Sequence, residues 1–484
     1  METIHFKTVD PVSQDLLRGA AQRGLALNWE RYEKQQPQDG FLRLGLACPY
    51  GCMQGPCRID PYGRGADRGI CGLDRDGMAA ASLLRLTLQG IAEAMQLYRA
   101  DDGAHIAWPV PLGKKAAAAM KTFGGAPLAA REMAESAAML SRPSATPEAI
   151  IRQALRLALM TVALAERDRK KEKSPRSLGC SAGYGLLAGD AITIGLAGSI
   201  PETLVRDLVE KTTAAKNRDI RLISLGDWIP SGGDLVPIVC TTGEAETALT
   251  SGGVTLLLAG SRTDPGLVTL CAKLTIPVVS SADNPGAAAV LKQARAAFDR
   301  RCPGSFTADA ALIGKGKLSL GAAEIETALR DGRSKKVALL GGADTLLQSL
   351  GHLPVELAKA LRGGNHAVAA WGDAALWMVK ADLPVGILEA DKGPLAAARV
   401  LAAKGKLSTL RGICFTGFKD CRELALALGL AALGLKVSVA VPLPLWGSEK
   451  VRTAIRKNLA AAGGALTHFD HPAKADEILD WFLR

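Results

Sequence analysis

From about residue 190 onward, short apolar runs alternate with stretches of helical length. The first series is Ile192–Leu196, Ile220–Ser224, Val236–Cys240, Val254–Ala259 and Ile276–Ser280. The second is Lys336–Leu340, Ala367–Trp371, Val385–Leu388, Gly412–Thr416 and Val437–Val441. Runs this short, separated by helix-length segments, predict βα units and a parallel sheet. The stretch from Asp299 to Ser334, with Gly314, Gly316 and Gly321, reads as the junction between the two series. No G-x-G-x-x-G follows any of the predicted strands, so there is no dinucleotide fingerprint.

Before residue 190 the pattern is helical. Asp10-Pro11 predicts the start of a helix reaching towards Tyr32. Leu84, Leu88, Ile91, Met95 and Tyr98 fall at helical spacing and form one apolar face. Thr146-Pro147 is an N-cap followed by proline at the first helical position, and opens a further helix. That helix ends in eight consecutive charged residues, Glu166 to Lys173, read as a solvated end before a linker through Ser174-Pro175. The expected fold is α/β with an N-terminal helical domain (1–190), followed by two Rossmann-like parallel-sheet domains (191–325 and 326–484).

Composition sharpens this. The 484 residues leave room for two to four domains with real cores. Apolar residues make up 48 % but aromatics only 4 %, so the cores must be built from Ala, Leu, Val and Ile. No N-terminal stretch has the basic-then-apolar pattern of a signal peptide. The apolar run Leu157 to Ala165 is too short to span a bilayer and is flanked by Arg156 and Glu166. No membrane insertion and a cytoplasmic location are expected. The net charge of +11 comes without Lys/Arg clusters interleaved with aromatics, which argues against nucleic acid. It suits an acidic electron carrier such as a ferredoxin, and equally a solvated basic surface.

Ten cysteines in a cytoplasmic chain point to metal ligands and buried thiols rather than a disulfide frame. Four of them, Cys48, Cys52, Cys57 and Cys71, lie within 24 residues among Gly51, Gly55, Pro56, Gly69 and Gly72. Thiolates gather around a metal only where the backbone turns sharply, and glycine allows such turns and a close approach to inorganic sulfide. The close succession of the first three favours a [4Fe-4S] cluster over a zinc knuckle, while zinc and plain structural thiols stay open.

Trp29-Glu-Arg-Tyr-Glu-Lys-Gln-Gln-Pro-Gln-Asp39-Gly-Phe, Gly55-Pro-Cys-Arg-Ile-Asp-Pro-Tyr-Gly63 and Gly69-Ile-Cys-Gly72 resemble the N-terminus of anaerobic nickel–iron carbon monoxide dehydrogenases, relatives of the hybrid-cluster proteins. The resemblance implies that Cys48, Cys52, Cys57 and Cys71 hold a cubane relaying electrons. It implies a homodimer as well. The family's cluster-bridging pair of cysteines reads Asp39 and Ala47 here, so no intersubunit cluster is expected. The histidines thought to conduct protons in the family are replaced in Ala94-Met-Gln-Leu-Tyr-Arg99.

The family's Ni–Fe–S centre takes one histidine and five cysteines at strand ends. The histidine's stretch reads Ala197-Gly-Ser199-Ile-Pro201 here, and the cysteine positions match Thr241, the neighbourhood of Arg262, Gly342 or Ala343, Asp373 and Lys419. None supplies a sulfur, and soft metals bind hydroxyl or ammonium groups poorly. A nickel–iron–sulfur cluster is therefore not expected. Cys240 and Cys421 are second-site candidates beside Asp373 and Asp420, with Cys421 at a predicted helix N-terminus that would favour its thiolate. Single cysteines such as Cys180, Cys240, Cys271, Cys302 and Cys414 more often act as small buried hydrophobes. His352, His366, His468 and His471 stand alone, the last two in what reads as a surface loop. Trp446-Gly-Ser448-Glu-Lys450 resembles a family segment whose lysine assists CO2 or hydroxide binding. Arg262, Asp373, Lys419 and Lys450 are the candidate residues for a polar pocket between the α/β domains.

These readings together predict a CO dehydrogenase-like iron–sulfur protein with one [4Fe-4S] cluster. It would lack CO-oxidising activity and act in electron transfer or as the redox subunit of a complex, with ferredoxin or another redox enzyme as partner. The alternatives are an oxidoreductase with a rebuilt, non-nickel cluster, an authentic ferredoxin-dependent CO dehydrogenase with divergent ligands, and a scaffold subunit whose cluster is structural.

Overall fold

The computed structural model describes residues 7–36, 39–52, 54–98, 113–124, 129–143, 145–169, 181–214, 219–231, 235–298, 325, 336–388, 393–469 and 474–484. Cys180, Cys302, His471, the linker at Ser174-Pro175 and nearly all of the expected junction at 299–334 lie outside these residues. Two parallel sheets follow a helical N-terminal region. The first contains β1 (Ile192–Ala197), β2 (Ile220–Leu225), β3 (Ile238–Cys240), β4 (Leu256–Ala259) and β5 (Val278–Ser280). Its order is β3-β2-β1-β4-β5. The second contains β6 (Lys336–Gly342), β7 (His366–Trp371), β8 (Gly386–Ile387), β9 (Leu410–Phe415), β10 (Lys436–Val439) and β11 (Ala465–His468), in the order β11-β10-β9-β6-β7-β8. Every paired strand is parallel.

Both sheets are doubly wound: strand order reverses between β1 and β4 in one, and between β6 and β9 in the other. Ligands of such sheets sit beyond the carboxyl ends at that reversal. The central strands are apolar on both faces because helices cover both sides; β1 is buried at all six positions.

The helical region packs on the second sheet domain. Helix Arg75–Leu97 and helix Pro147–Arg169 cross helix Cys421–Ala432, which is buried from Arg422 to Ala432. Two glycines permit the close approach. A Cβ at Gly90 would lie 2.3 Å from the Cys421 carbonyl oxygen, and one at Gly429 would lie 2.3 Å from that of Ala158. The expected apolar face of helix Arg75–Leu97 is present: Leu84, Ile91 and Tyr98 are buried, and Leu88 and Met95 pack against the same core.

Three expectations are corrected. The helix from Pro11 ends at Gln22, and a second runs Asn28–Lys34; Gly24 breaks them apart with a φ of +68°. Glu166 is not solvated: it is 4 % exposed and accepts both hydrogen bonds of a 2.9 Å fork from Arg399. His468 ends strand β11 and is half-buried, its ring against Trp446 at 5.1 Å.

Candidate functional site

The cysteine loop hangs from a small core. Leu46, Ile59 and Met78 are buried, and Cys48 and Cys57 pack against them with Phe41, Leu44 and Leu73. The loop's two arms pair as Cys48 N–H donates to Cys57 O at 2.8 Å and Ile59 N–H to Leu46 O at 2.9 Å. A second pairing, Gly69 N–H to Leu73 O at 2.8 Å, presents Cys71 just before Asp74 caps helix Arg75–Leu97. Asp60 holds the intervening turn by accepting from the backbone of Tyr62, Arg64 and Gly65.

All four cysteines are free thiols; Cys52 and Cys71 are exposed, Cys48 and Cys57 half-buried. Backbone N–H groups already point at sulfur: Gln54 donates to Cys52 Sγ at 3.4 Å and Ile70 to Cys57 Sγ at 3.5 Å. Such donors stabilise thiolate and tune a bound cluster. Gly69 passes close by; a Cβ there would meet Cys57 Sγ at 3.6 Å. Among the described residues no three His, Cys, Asp or Glu side chains stand close enough to share one metal ion. A cubane asks for less convergence than zinc, since each thiolate meets a different iron. The donor set, four thiols with sulfur-directed N–H groups in a glycine-rich loop, fits an iron–sulfur cluster. Asp39 serves the local backbone instead, capping helix Gly40–Leu44 and pairing with Arg58 at 2.9 Å.

The second site is a cavity of about 220 Å³ where the carboxyl ends of the two sheets face each other. The two strand-order reversals meet here, and the chain brings Ser199, Arg262, Ala343, Asp373 and Lys419 to one lining. Thr241 lies directly behind, fully buried, and Thr242 lines the cavity. Positions far apart in sequence thus converge because each follows a strand end.

Each cation at this cleft already faces a carboxylate. Lys419 pairs with Asp227, across the two domains, and Arg262 reaches Asp420 at 3.2 Å. Arg422 Nε lies 3.5 Å from Asp420. Asp227 is fixed further by the N–H of Gly198 at 2.7 Å. Asp373 is 3 % exposed and accepts from Thr242 N–H at 3.0 Å, from the Thr242 hydroxyl and from Asp344 N–H at 2.8 Å. Burial raises the pKa of Asp373 against these donors. Asp344 is raised well above the usual carboxylate range by burial and by Asp373 beside it. Burial also pushes Glu423 up to about 7, although Arg422 acts the other way.

Three expectations for this region do not hold. Lys450 does not join the cleft. It opens helix Glu449–Ala461, is largely exposed, and lies 3.6 Å from Asp76, beside the Ser448 N-cap that donates to Asp76 at 2.6 Å. Cys421 starts a helix, but its thiol is pushed up to about 11 by burial and by the Glu93 and Asp420 carboxylates, so the thiolate is disfavoured. Its Sγ sits 3.6 Å from Gln89. Cys240 is wholly buried at the end of β3, where burial and Glu244 raise its pKa strongly. Neither thiol lines the cleft.

Several residues that build this region carried no signal in the sequence. Asp227, Glu244, Asp344, Lys380 and Glu423 stand in no recognisable motif. Asp227, Glu244 and Lys380 meet partners more than 100 residues away, so only the folded chain reveals them. Asp227 had one hint, its place two residues past the end of β2.

The two sites stand well apart. Helix Arg75–Leu97 begins right after the cysteine loop, and Leu97 at its other end lines the cleft. Its 23 residues span about 34 Å.

Residues 47–168 match the Prismane/CO dehydrogenase family. Carbon monoxide dehydrogenase 1 of Methanosarcina mazei is 47% identical over 91 residues, 19% of this chain and 14% of its own length. Carbon monoxide dehydrogenase 1 of Carboxydothermus hydrogenoformans is 43% identical over 100 residues, 21% of this chain and 15% of its own. The matched stretch is thus a small part of these relatives. The fold likeness is broader. Carbon monoxide dehydrogenase IV from Carboxydothermus hydrogenoformans superposes with a TM-score of 0.74 at 20% identity, covering 98% of both chains. A Ni-free carbon monoxide dehydrogenase from Thermococcus sp. AM4 gives 0.76 at 18% identity, covering 100% of this chain and 98% of that one. Residues 47–168 thus carry the Prismane/CO dehydrogenase family segment, and the whole chain has the fold of these dehydrogenases, a helical region followed by two parallel sheets.

Proposed function

We propose that the protein holds one [4Fe-4S] cluster on Cys48, Cys52, Cys57 and Cys71 and exchanges single electrons with a redox partner, without oxidising CO. The observation that carries this reading is the contrast between the two sites. The loop offers four thiols with N–H groups aimed at sulfur. The cleft offers hydroxyl, carboxylate, ammonium and guanidinium groups at the positions where the resemblance places a nickel–iron centre. Those cations and carboxylates are engaged with one another, and a soft metal gains little from them.

A bound cubane supplies a one-electron couple. The chain's part is to set its potential and its access. Cys52 and Cys71 are exposed, so electrons reach the surface directly, while the cleft lies a helix length away. Leu42, Tyr62 and Ile70 are 62%, 82% and 69% exposed, and all three belong to the segments that build the loop. Where such side chains form one contiguous patch, they mark a contact surface. Arg58, Arg64 and Arg68 lie in the same segments. A second copy of the chain or an acidic carrier such as a ferredoxin is the occupant this surface suits, in a cytoplasmic setting. Among the described residues no helix is long and apolar enough to cross a membrane.

The test is anaerobic reconstitution with iron and sulfide, with and without nickel. A reduced S = 1/2 signal that disappears in Cys71→Ser, together with no CO-dependent reduction of a viologen dye, is the expected result. Nickel-dependent CO oxidation would overturn the proposal and favour an authentic dehydrogenase with divergent ligands. A second paramagnetic centre that persists in Cys71→Ser would favour a rebuilt cluster.

A further inference from the structure

Lys380 is a lysine buried to 4 % side-chain exposure. Its ammonium lies 2.5 Å from Asp10 Oδ2 and 2.6 Å from Glu244 Oε2, each carboxylate 1 % exposed. It also sits over the Trp377 ring at 4.6 Å and the Tyr184 ring at 4.9 Å. Burial alone lowers a lysine pKa, yet Glu244 and Asp10 outweigh it and hold Lys380 up at about 12. The three charged residues come from three parts of the fold. Asp10 caps the N-terminal helix, Glu244 follows β3 of the first sheet, and Lys380 ends helix Gly372–Lys380 of the second.

The N-terminal segment crosses both domains. On the first, Ser13 donates to Glu244 and is 2.6 Å from Tyr184 OH, Arg23 donates to Thr250 O at 2.9 Å, Asn28 to Gly243 O at 2.8 Å, and Arg31 forks onto Glu246. On the second, Leu350 N–H donates to Lys7 O and Val9 N–H to Leu350 O, both at 3.0 Å. Trp29, 1 % exposed, packs with Leu350, Val355 and Trp377.

Two short segments link this seam to the cleft. Turn Thr242–Glu244 carries Thr242 at the cleft and Glu244 at the lysine. Helix Gly372–Lys380 carries Asp373 at the cleft and Lys380 at its far end. Thr242 bonds Asp373, and Glu244 bonds Lys380, so the same two segments are joined twice.

We propose that residues 7–34 form a strap that holds the two α/β domains closed over the cleft, with Lys380 as the pin on which strap and both domains meet. The Lys419–Asp227 and Arg262–Asp420 pairs join the same two domains through other residues. The strap acts independently of any metal in the cysteine loop.

Hydrogen–deuterium exchange on the full chain tests this in two variants. Lys380→Met removes the pin. The double variant Asn28→Ala/Arg31→Ala loosens the strap at its rim and leaves the buried triad intact, so it decides the matter if Lys380→Met does not fold. In both, exchange should rise at least tenfold in residues 11–22, 242–249 and 372–380, with helix Pro147–Arg169 and β9 unchanged. Faster exchange in residues 11–22 alone would show a segment merely laid on the surface and overturn the proposal. An equal rise in every segment would do so as well, because Lys380 would then serve the whole fold rather than the seam.

Discussion

Asp373 is the residue at which the two readings of the cleft part most sharply. As a metal ligand, its loss would empty a centre; as a hydrogen-bond acceptor, its loss would strip partners from the protein itself. Asp373→Ala removes the acceptor for the N–H groups of Thr242 and Asp344, 3.0 and 2.8 Å away, and for the Thr242 hydroxyl. Each stranded backbone N–H costs about 1–3 kcal/mol when water cannot reach it. The hydroxyl can turn elsewhere, so the two amides set a range of roughly 2–6 kcal/mol. Thr242 and Asp344 are only half-buried, and water relieves part of that, which points to about 2–4 kcal/mol. Asp373→Asn keeps one oxygen and should lose about half as much. Against a typical total of about 5–15 kcal/mol the effect is large. The assay is urea unfolding of the metal-loaded protein, with iron and nickel measured on the same samples. The reasoning requires a clear loss of stability at unchanged metal content. A stability change below about 1 kcal/mol accompanied by loss of bound metal would refute it.

The remaining predictions concern charge and packing. Burial holds Glu423 at about 7, above the ordinary glutamate value, so the folded state keeps a proton that the unfolded state releases. Its contribution is full at low pH and is lost as pH rises through about 7, at up to about 1.4 kcal/mol per pH unit. Glu423→Gln should flatten that decline between pH 5 and 7, and an unchanged slope of urea midpoint against pH would count against it. Gly90→Ala should destabilise by about 1–3 kcal/mol, despite alanine's better helix propensity, because the new Cβ would lie 2.3 Å from the Cys421 carbonyl oxygen. Gly363→Ala, at a helix end where nothing lies within 4 Å, is the control and should be neutral or slightly stabilising in the same unfolding assay.

Each of the ten predicted strands became a strand, because five-residue apolar runs buried on both faces have few other homes. Strand β11 escaped notice: Ala465-Leu-Thr-His is four residues long, lies at the sheet edge and is not fully buried at any position. The break between Gln22 and Asn28 was marked only by Gly24, one residue inside an otherwise helical pattern. In the cleft, the strand ends told where Arg262, Asp373 and Lys419 would go, because a residue just past a parallel strand has little freedom of position. Lys450 misled because its motif fixes a helix start, not a direction towards the cleft. Charge pairing was the least visible feature. Nothing local distinguishes Lys380, buried between two carboxylates, from a lysine at the end of any exposed helix. Its environment is assembled by segments more than 100 residues away.

The most direct test of the account is the metal content of the anaerobically purified chain, with anomalous scattering to place each metal. The expected result is about four irons per chain at Cys48, Cys52, Cys57 and Cys71, with no nickel. Nickel or further iron between the two sheet domains, or a cysteine loop free of metal, would contradict it.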